Sequence, residues 1–103
     1  MSKPSKMAIA KENASRLASI GIGSIEVETL RAAREVALRE LRRARRECRE
    51  DDDCPDIDEH DDVRGPLADY TRLARGYKNA HARYQREVKR YREWLAEVNG
   101  DTR

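Results

Sequence analysis

The chain has 103 residues and a mass of 11.9 kDa, room for one small domain. Charged residues make up 41% and apolar residues 38%, and 13 of the 39 apolar residues are alanine, with one Trp and no Phe. That is too little bulk for a compact globule, and it excludes a β-sandwich, a disulfide-dense scaffold and a membrane-spanning chain. It suits long helices, which need only a narrow apolar seam.

The near balance of 22 basic and 20 acidic residues, net +2, hides strong segregation along the chain. Arg outnumbers Lys 17 to 5, which with the alanine content is the composition of a high-GC bacterial or phage genome. No hydrophobic run reaches signal-peptide or membrane-span length, so the expected location is cytoplasmic.

Residues 1–23 read as a short helix and a glycine turn. Ser2 or Ser5 can cap it, Pro4 suits its first turn, and Ile9, Ala10, Ala14, Leu17 and Ile20 give a weak apolar stripe. Gly21-Ile22-Gly23 is expected to end it.

Residues 24–50 read as a long helix. Ser24 is its expected cap, and Glu26 and Glu28 face the positive end of the dipole. Val27, Leu30, Ala33, Ala37, Leu41, Ala44 and Cys48 form one apolar face at helical spacing. Ile25, Ala32 and Val36 form a second, so this helix should touch two neighbours: the hairpin partner, and either the N-terminal helix or another subunit.

Residues 51–65 read as an acidic connector. The stretch 51–62 carries eight carboxylates, and their repulsion and Pro55 both oppose helix.

Residues 66–98 read as the second long helix, opened by Pro66 and closed by Gly100, with residues 101–103 as a tail. Leu67, Tyr70, Ala74, Tyr77, His81, Tyr84, Val88, Tyr91, Leu95 and Val98 alternate by three and four, the pattern of a coiled-coil seam. Alanines on the first helix can receive the rings of the second. The expected fold is therefore all-α: a short N-terminal helix plus a long antiparallel helical hairpin, able to pair into a four-helix bundle.

Four constellations are candidates for function. The first is an arginine face on the first long helix, with Arg31, Arg39, Arg42, Arg46 and Arg49, flanked by Arg43 and Arg45. Its plain reading is a solvated face with i,i+4 pairs Arg31–Glu35, Arg43–Glu47 and Arg46–Glu50; its functional reading is a site for phosphate or an acidic partner. The second is the basic tyrosine helix, net +6 over residues 70–95 and including Arg83, Arg86 and Arg90. Interleaved Tyr and Arg suit single-stranded nucleic acid, but a spacing of seven places the rings in a packed seam. The third is Cys48, Cys54 and His60 in and beside the acidic connector, at spacings unlike a zinc site; whether they bind a metal is left open. A Cys48–Cys54 disulfide is disfavoured in a reducing compartment. The fourth is His81, expected to be an interior residue of the seam.

Trp94, beside the seam near the end of the longer helix, is either packed against the N-terminal helix or an exposed anchor for a partner. No enzyme signature is present. Glu26 stands where a dinucleotide loop after Gly21 and Gly23 needs glycine, and there is no P-loop, HExxH or nucleophile elbow.

These features point to a non-enzymatic protein–protein interaction module, a small bacterial or phage accessory protein acting as adaptor, inhibitor or assembly factor. No cofactor, metal, membrane or small-molecule substrate is expected. The partner is a host or phage protein, or a second copy in a homodimer, and the expected partner-binding residues are Trp94, Ile25, Ala32, Val36, Arg39, Arg42, Arg46 and Arg49. The alternatives are nucleic-acid binding through Arg42, Arg46, Arg83, Arg86 and Arg90, and a virion or scaffolding component assembled by charge.

Overall fold

The computed structural model describes residues 5–50 and 57–100. Two long helices, α1 (Lys6–Glu50) and α2 (Asp61–Gly100), run antiparallel, joined through a 3-10 turn at Ile57–Glu59, with no strand among the described residues. The hairpin measures 75 × 17 × 17 Å, and its radius of gyration of 22.3 Å compares with about 13 Å for a compact domain of this length.

The helical hairpin is as the sequence leads one to expect; the break after residue 20 is not. Helix α1 is continuous through Gly21 and Gly23, and no described glycine has a positive φ. Two interior glycines cost about 1 kcal/mol each relative to alanine. The cost is offset because the seam keeps its phase across them. Ile20, Gly23, Val27 and Leu30 are all at least partly covered, and the Tyr84 ring lies 3.6 Å from where a Cβ on Gly23 would stand. Ser24 is therefore an interior residue and not a cap. The cap is Ser5, whose Oγ accepts the Ala8 N–H at 3.1 Å, one of the two serines expected from sequence; Ser2 and Pro4 lie outside the described residues.

The second helix starts five residues earlier than Pro66. His60 caps it: its Nδ1 accepts the Asp62 N–H at 3.2 Å and its carbonyl accepts the Val63 N–H at 2.9 Å. Asp61 and Asp62, counted in sequence as helix-opposing charges, sit in the first turn, where the dipole favours them. Pro66 lies inside the helix and leaves one carbonyl without its usual donor. At the far end α2 runs through Gly100, two residues beyond the expected stop. Of the expected connector, residues 51–56, with Cys54 and Pro55, lie outside the described residues.

The buried core is small and strung along the seam: Val27, Ala37 and Ala80 are buried farther from the connector, and one cluster lies near it. Leu41 (1% exposed), Cys48 and Val63 (0%) form that cluster, with Ala44, Ile57, Leu67 and Tyr70 packed around them. Cys48 is disulfide-bonded, contrary to the expectation for a reducing compartment. Arg45 ties the 3-10 turn to α1 through a two-pronged bond to Asp58, Nε to Oδ1 at 2.9 Å and Nη2 to Oδ2 at 3.2 Å.

Along the rest of the seam, polar contacts join the apolar ones made by the buried Val27, Ala37 and Ala80. Arg34, where the sequence reading placed Ala33, lays its guanidinium 4.3 Å from the Tyr77 ring centroid. Leu30 reaches within 3.7 Å of a Cβ position on Gly76. Further out, Ser19 donates to Glu87 (3.2 Å) and the Tyr91 hydroxyl donates to Asn13 Oδ1 (2.6 Å).

Candidate functional site: the outer face of α1

A helix whose seam positions are Ile20, Gly23, Val27, Leu30, Arg34, Ala37, Leu41, Ala44 and Cys48 turns a second set of positions almost directly away from its partner. On α1 that set is Ala18, Ile22, Ile25, Thr29, Ala32, Val36, Arg39, Arg43 and Arg46, alternating by four and three, and every one is exposed. Ile22 and Ile25 are each 69% exposed and Val36 45%. Continuity of α1 is what builds this face. With no separate N-terminal helix, nothing described in the chain covers it.

The face has two parts. Over residues 18–36 it is apolar; from Arg39 onward it is cationic. Arg39, Arg42, Arg43 and Arg46 line a shallow hollow with Glu40, and Arg49 follows. The expected i,i+4 pairs Arg31–Glu35 and Arg43–Glu47 are not formed, and the Glu50 side chain expected to pair with Arg46 lies outside the described residues. Arg31 turns back to Glu28 at 3.3 Å, and Arg39, Arg42, Arg43, Arg46 and Arg49 make no ion pair among the described residues. Each of these arginines also stands within one helical turn of another, so their guanidinium groups gain from any added carboxylate or phosphate.

Sequence reasoning named Ile25, Ala32, Val36, Arg39, Arg42, Arg46 and Arg49, and the structure brings all seven to the outer surface of α1. It missed Ile22, which the glycine-turn reading removed from any helix. The signal was available: residues 18, 22, 25, 29, 32 and 36 share one face only if the helix is unbroken.

Trp94 lies elsewhere. Sequence reasoning has the second helix outrunning the first, but α1, at 45 residues, is longer than α2, at 40, and reaches past the tryptophan. The indole is half-buried, with the Arg16 guanidinium 5.1 Å from its centroid and the Tyr91 ring 6.1 Å away. The tyrosines are all half-buried in the seam, and His81 stacks on Tyr77 at 5.7 Å. Of the α2 arginines, Arg83 pairs with Glu26 across the hairpin at 2.8 Å, whereas Arg86 and Arg90 are exposed.

Among the described residues no three His, Cys, Asp or Glu side chains converge as metal ligands, and no helix is long and apolar enough to cross a membrane. No family model, curated protein or solved structure matches the chain.

Proposed function

We propose that the protein is a non-enzymatic protein–protein interaction module, a small bacterial or phage accessory protein whose working surface is the outer face of α1. The observation that carries this reading is the exposure of Ile22, Ile25 and Val36 in one row, on a helix whose other side already has its partner. Isolated exposed apolar residues are ordinary; a row at helical spacing is a surface built to be covered. The described hollows are open to solvent on a hairpin 17 Å thick, with no enclosed site in which to desolvate a reaction.

The test is a tagged capture from bacterial lysate, with nuclease and at two salt concentrations, comparing the natural chain with an Ile25→Asp/Val36→Asp variant. Both residues are exposed, so the variant folds, as circular dichroism will check. A stoichiometric protein retained by the natural chain and lost by the variant supports the reading. Equal capture by both overturns it.

A second reading is supported by the arginines that make no ion pair among the described residues: nucleic-acid binding through Arg42, Arg46 and their neighbours, with Arg86 and Arg90 on the other helix. It predicts retention on heparin that falls steeply with salt. The half-buried tyrosines leave it without a stacking platform, and phosphate would leave the isoleucine row in water.

The cytoplasm is the compartment proposed from sequence. A disulfide at Cys48 would be open there, so thiol trapping of protein isolated from cells reads the compartment directly.

A further inference from the structure

The interaction-module reading leaves the occupant of the α1 face unspecified. Resting on that reading, we infer that the face receives an amphipathic helix of a different protein, apolar over one half and carboxylate-rich over the other.

The apolar part, residues 18–36, extends about 27 Å, and the cationic part from residue 39 to 49 adds about 15 Å along the same line. Thr29 and the alanines at 18 and 32 are small, and Ile22, Ile25 and Val36 stand between them. Small and large residues alternating along one row form the ridges and gaps that an α-helix fills. A globular surface or a loop does not repeat at this spacing. The occupant's apolar residues should therefore themselves recur every three and four positions.

Charge selects the other half. Arg39, Arg43 and Arg46 continue the row itself, and Arg42 and Arg49 stand beside it, all exposed and unpaired among the described residues. A helix laid along the isoleucines and continuing over these arginines must present carboxylates there, because apolar residues or cations would leave guanidinium groups desolvated or opposed. A carboxylate is also the group that the guanidinium fork binds in two-pronged fashion, as Arg45 and Asp58 do in the same hairpin.

A second copy does not meet these demands. A parallel copy in register sets Arg39, Arg43 and Arg46 against the same three residues. An antiparallel copy that matches Ile25 with Val36 lays Arg39 over Ile22 and Arg43 over Ala18, and brings Glu26 level with Glu35. In that register Arg49 comes level with Glu12, a carboxylate that already pairs with Arg16. An antiparallel copy that matches Ile25 with Thr29 does lay the apolar row on itself, Ile22 over Ala32 and Ala18 over Val36, but it sets Arg43 against Lys11, Arg46 against Ala8 and Arg39 against Ser15, so a second copy covers the isoleucines without supplying carboxylates to the arginines.

The test uses synthetic peptides of about 29 residues, long enough to span residues 18–46 at one residue per residue of α1. Each carries leucines at three-four spacing over half its length, and either glutamates or lysines at the corresponding positions of the other half. Both chain directions are made, and binding to the full protein is read by fluorescence anisotropy.

In one direction the glutamate peptide is expected to bind at least about tenfold tighter than its lysine counterpart, the advantage shrinking with added salt. Arg39→Glu with Arg43→Glu is expected to reverse the preference, and Ile25→Asp with Val36→Asp to weaken both peptides about tenfold or more. Equal affinity for the two peptides, or no binding of either, overturns the inference. So does a concentration-dependent dimer abolished by Ile25→Asp, which would make a second copy the occupant. Tighter binding of duplex DNA than of the glutamate peptide, lost in the arginine variant, would also overturn it and assign the arginines to phosphate. Should Ile25→Asp/Val36→Asp still abolish capture of a protein partner while the peptides show no preference, the interaction-module reading stands and only the acidic helix falls.

Discussion

The two ends of this hairpin are held by different chemistry. Near the connector, Leu41, Cys48 and Val63 are almost wholly buried, and Arg45 clamps the turn to the helix. At the open end, α1 and α2 meet through Asn13–Tyr91, Arg16–Trp94 and Ser19–Glu87, and no described residue there is fully buried. Apolar burial holds an element in place without demanding one geometry, whereas hydrogen bonds and cation–ring contacts fix a register but contribute little net stability in water. The connector end, with the buried Val27, Ala37 and Ala80 in the middle of the seam, therefore supplies more of the folding free energy than the open end, which supplies alignment. The isoleucine row lies at the junction between them, so its rigidity depends on both.

That contrast breaks most visibly at Leu41. Leu41→Ala removes the largest fully buried side chain and should cost about 2–5 kcal/mol, read as a fall in the urea midpoint. The same truncation at Ile20, half-covered at the open end, should cost under half as much. Equal losses would mean that the seam is uniform. At the open end the sharpest probe is Tyr91→Phe, which deletes only the hydroxyl that donates to Asn13. A loss of about 0.5–1.5 kcal/mol is expected, with faster amide exchange confined to residues near Asn13 and Tyr91.

Gly21→Ala tests whether α1 is continuous. Gly21 has a helical backbone, and nothing lies within 4 Å of where a Cβ would stand. Alanine should therefore stabilise by up to about 1 kcal/mol and slow exchange on both sides of residue 21. A left-handed glycine ending a short helix would instead be destabilised by the same change.

The glycines also show why part of the molecule was legible in sequence and part was not. The α2 seam could be read because its residues repeat without interruption from Leu67 to Val98, and a strict period needs no knowledge of the partner. The first α1 face was read nearly as well, apart from Arg34, whose charge disguised a seam position that a tyrosine ring makes hospitable. Gly21-Ile22-Gly23 misled because local propensity favours a stop, and what offsets it is a seam that keeps its phase through Gly23, beside Tyr84 of the other helix. The same error displaced Ile22 from the candidate site and made Trp94 look uncovered. His60 as a cap was hidden for a different reason: the imidazole is an uncommon capping group, and the neighbouring Asp61 and Asp62 read as repulsive until the helix start is known.

The smallest expected effect lies between the two ion pairs that join separate elements of the hairpin. Arg45 meets Asp58 with two bonds from one guanidinium face, whereas Arg83 meets Glu26 through a single 2.8 Å contact between side chains that are about half exposed. Water and salt screen the second pair nearly as well in the folded as in the unfolded chain, so Glu26→Gln, Arg83→Gln and the double variant should give a coupling of only about 0–0.5 kcal/mol. At the connector, Arg45→Lys keeps the charge but loses the fork, because an ammonium group cannot address both carboxylate oxygens in one plane. It should cost more than either glutamine change, and the cost should survive added salt, since geometry and not net charge is what the lysine lacks. Were Glu26–Arg83 to couple as strongly as Arg45–Asp58, the middle of the hairpin would be fixed by charge, and the division between an anchoring end and an aligning end would not hold.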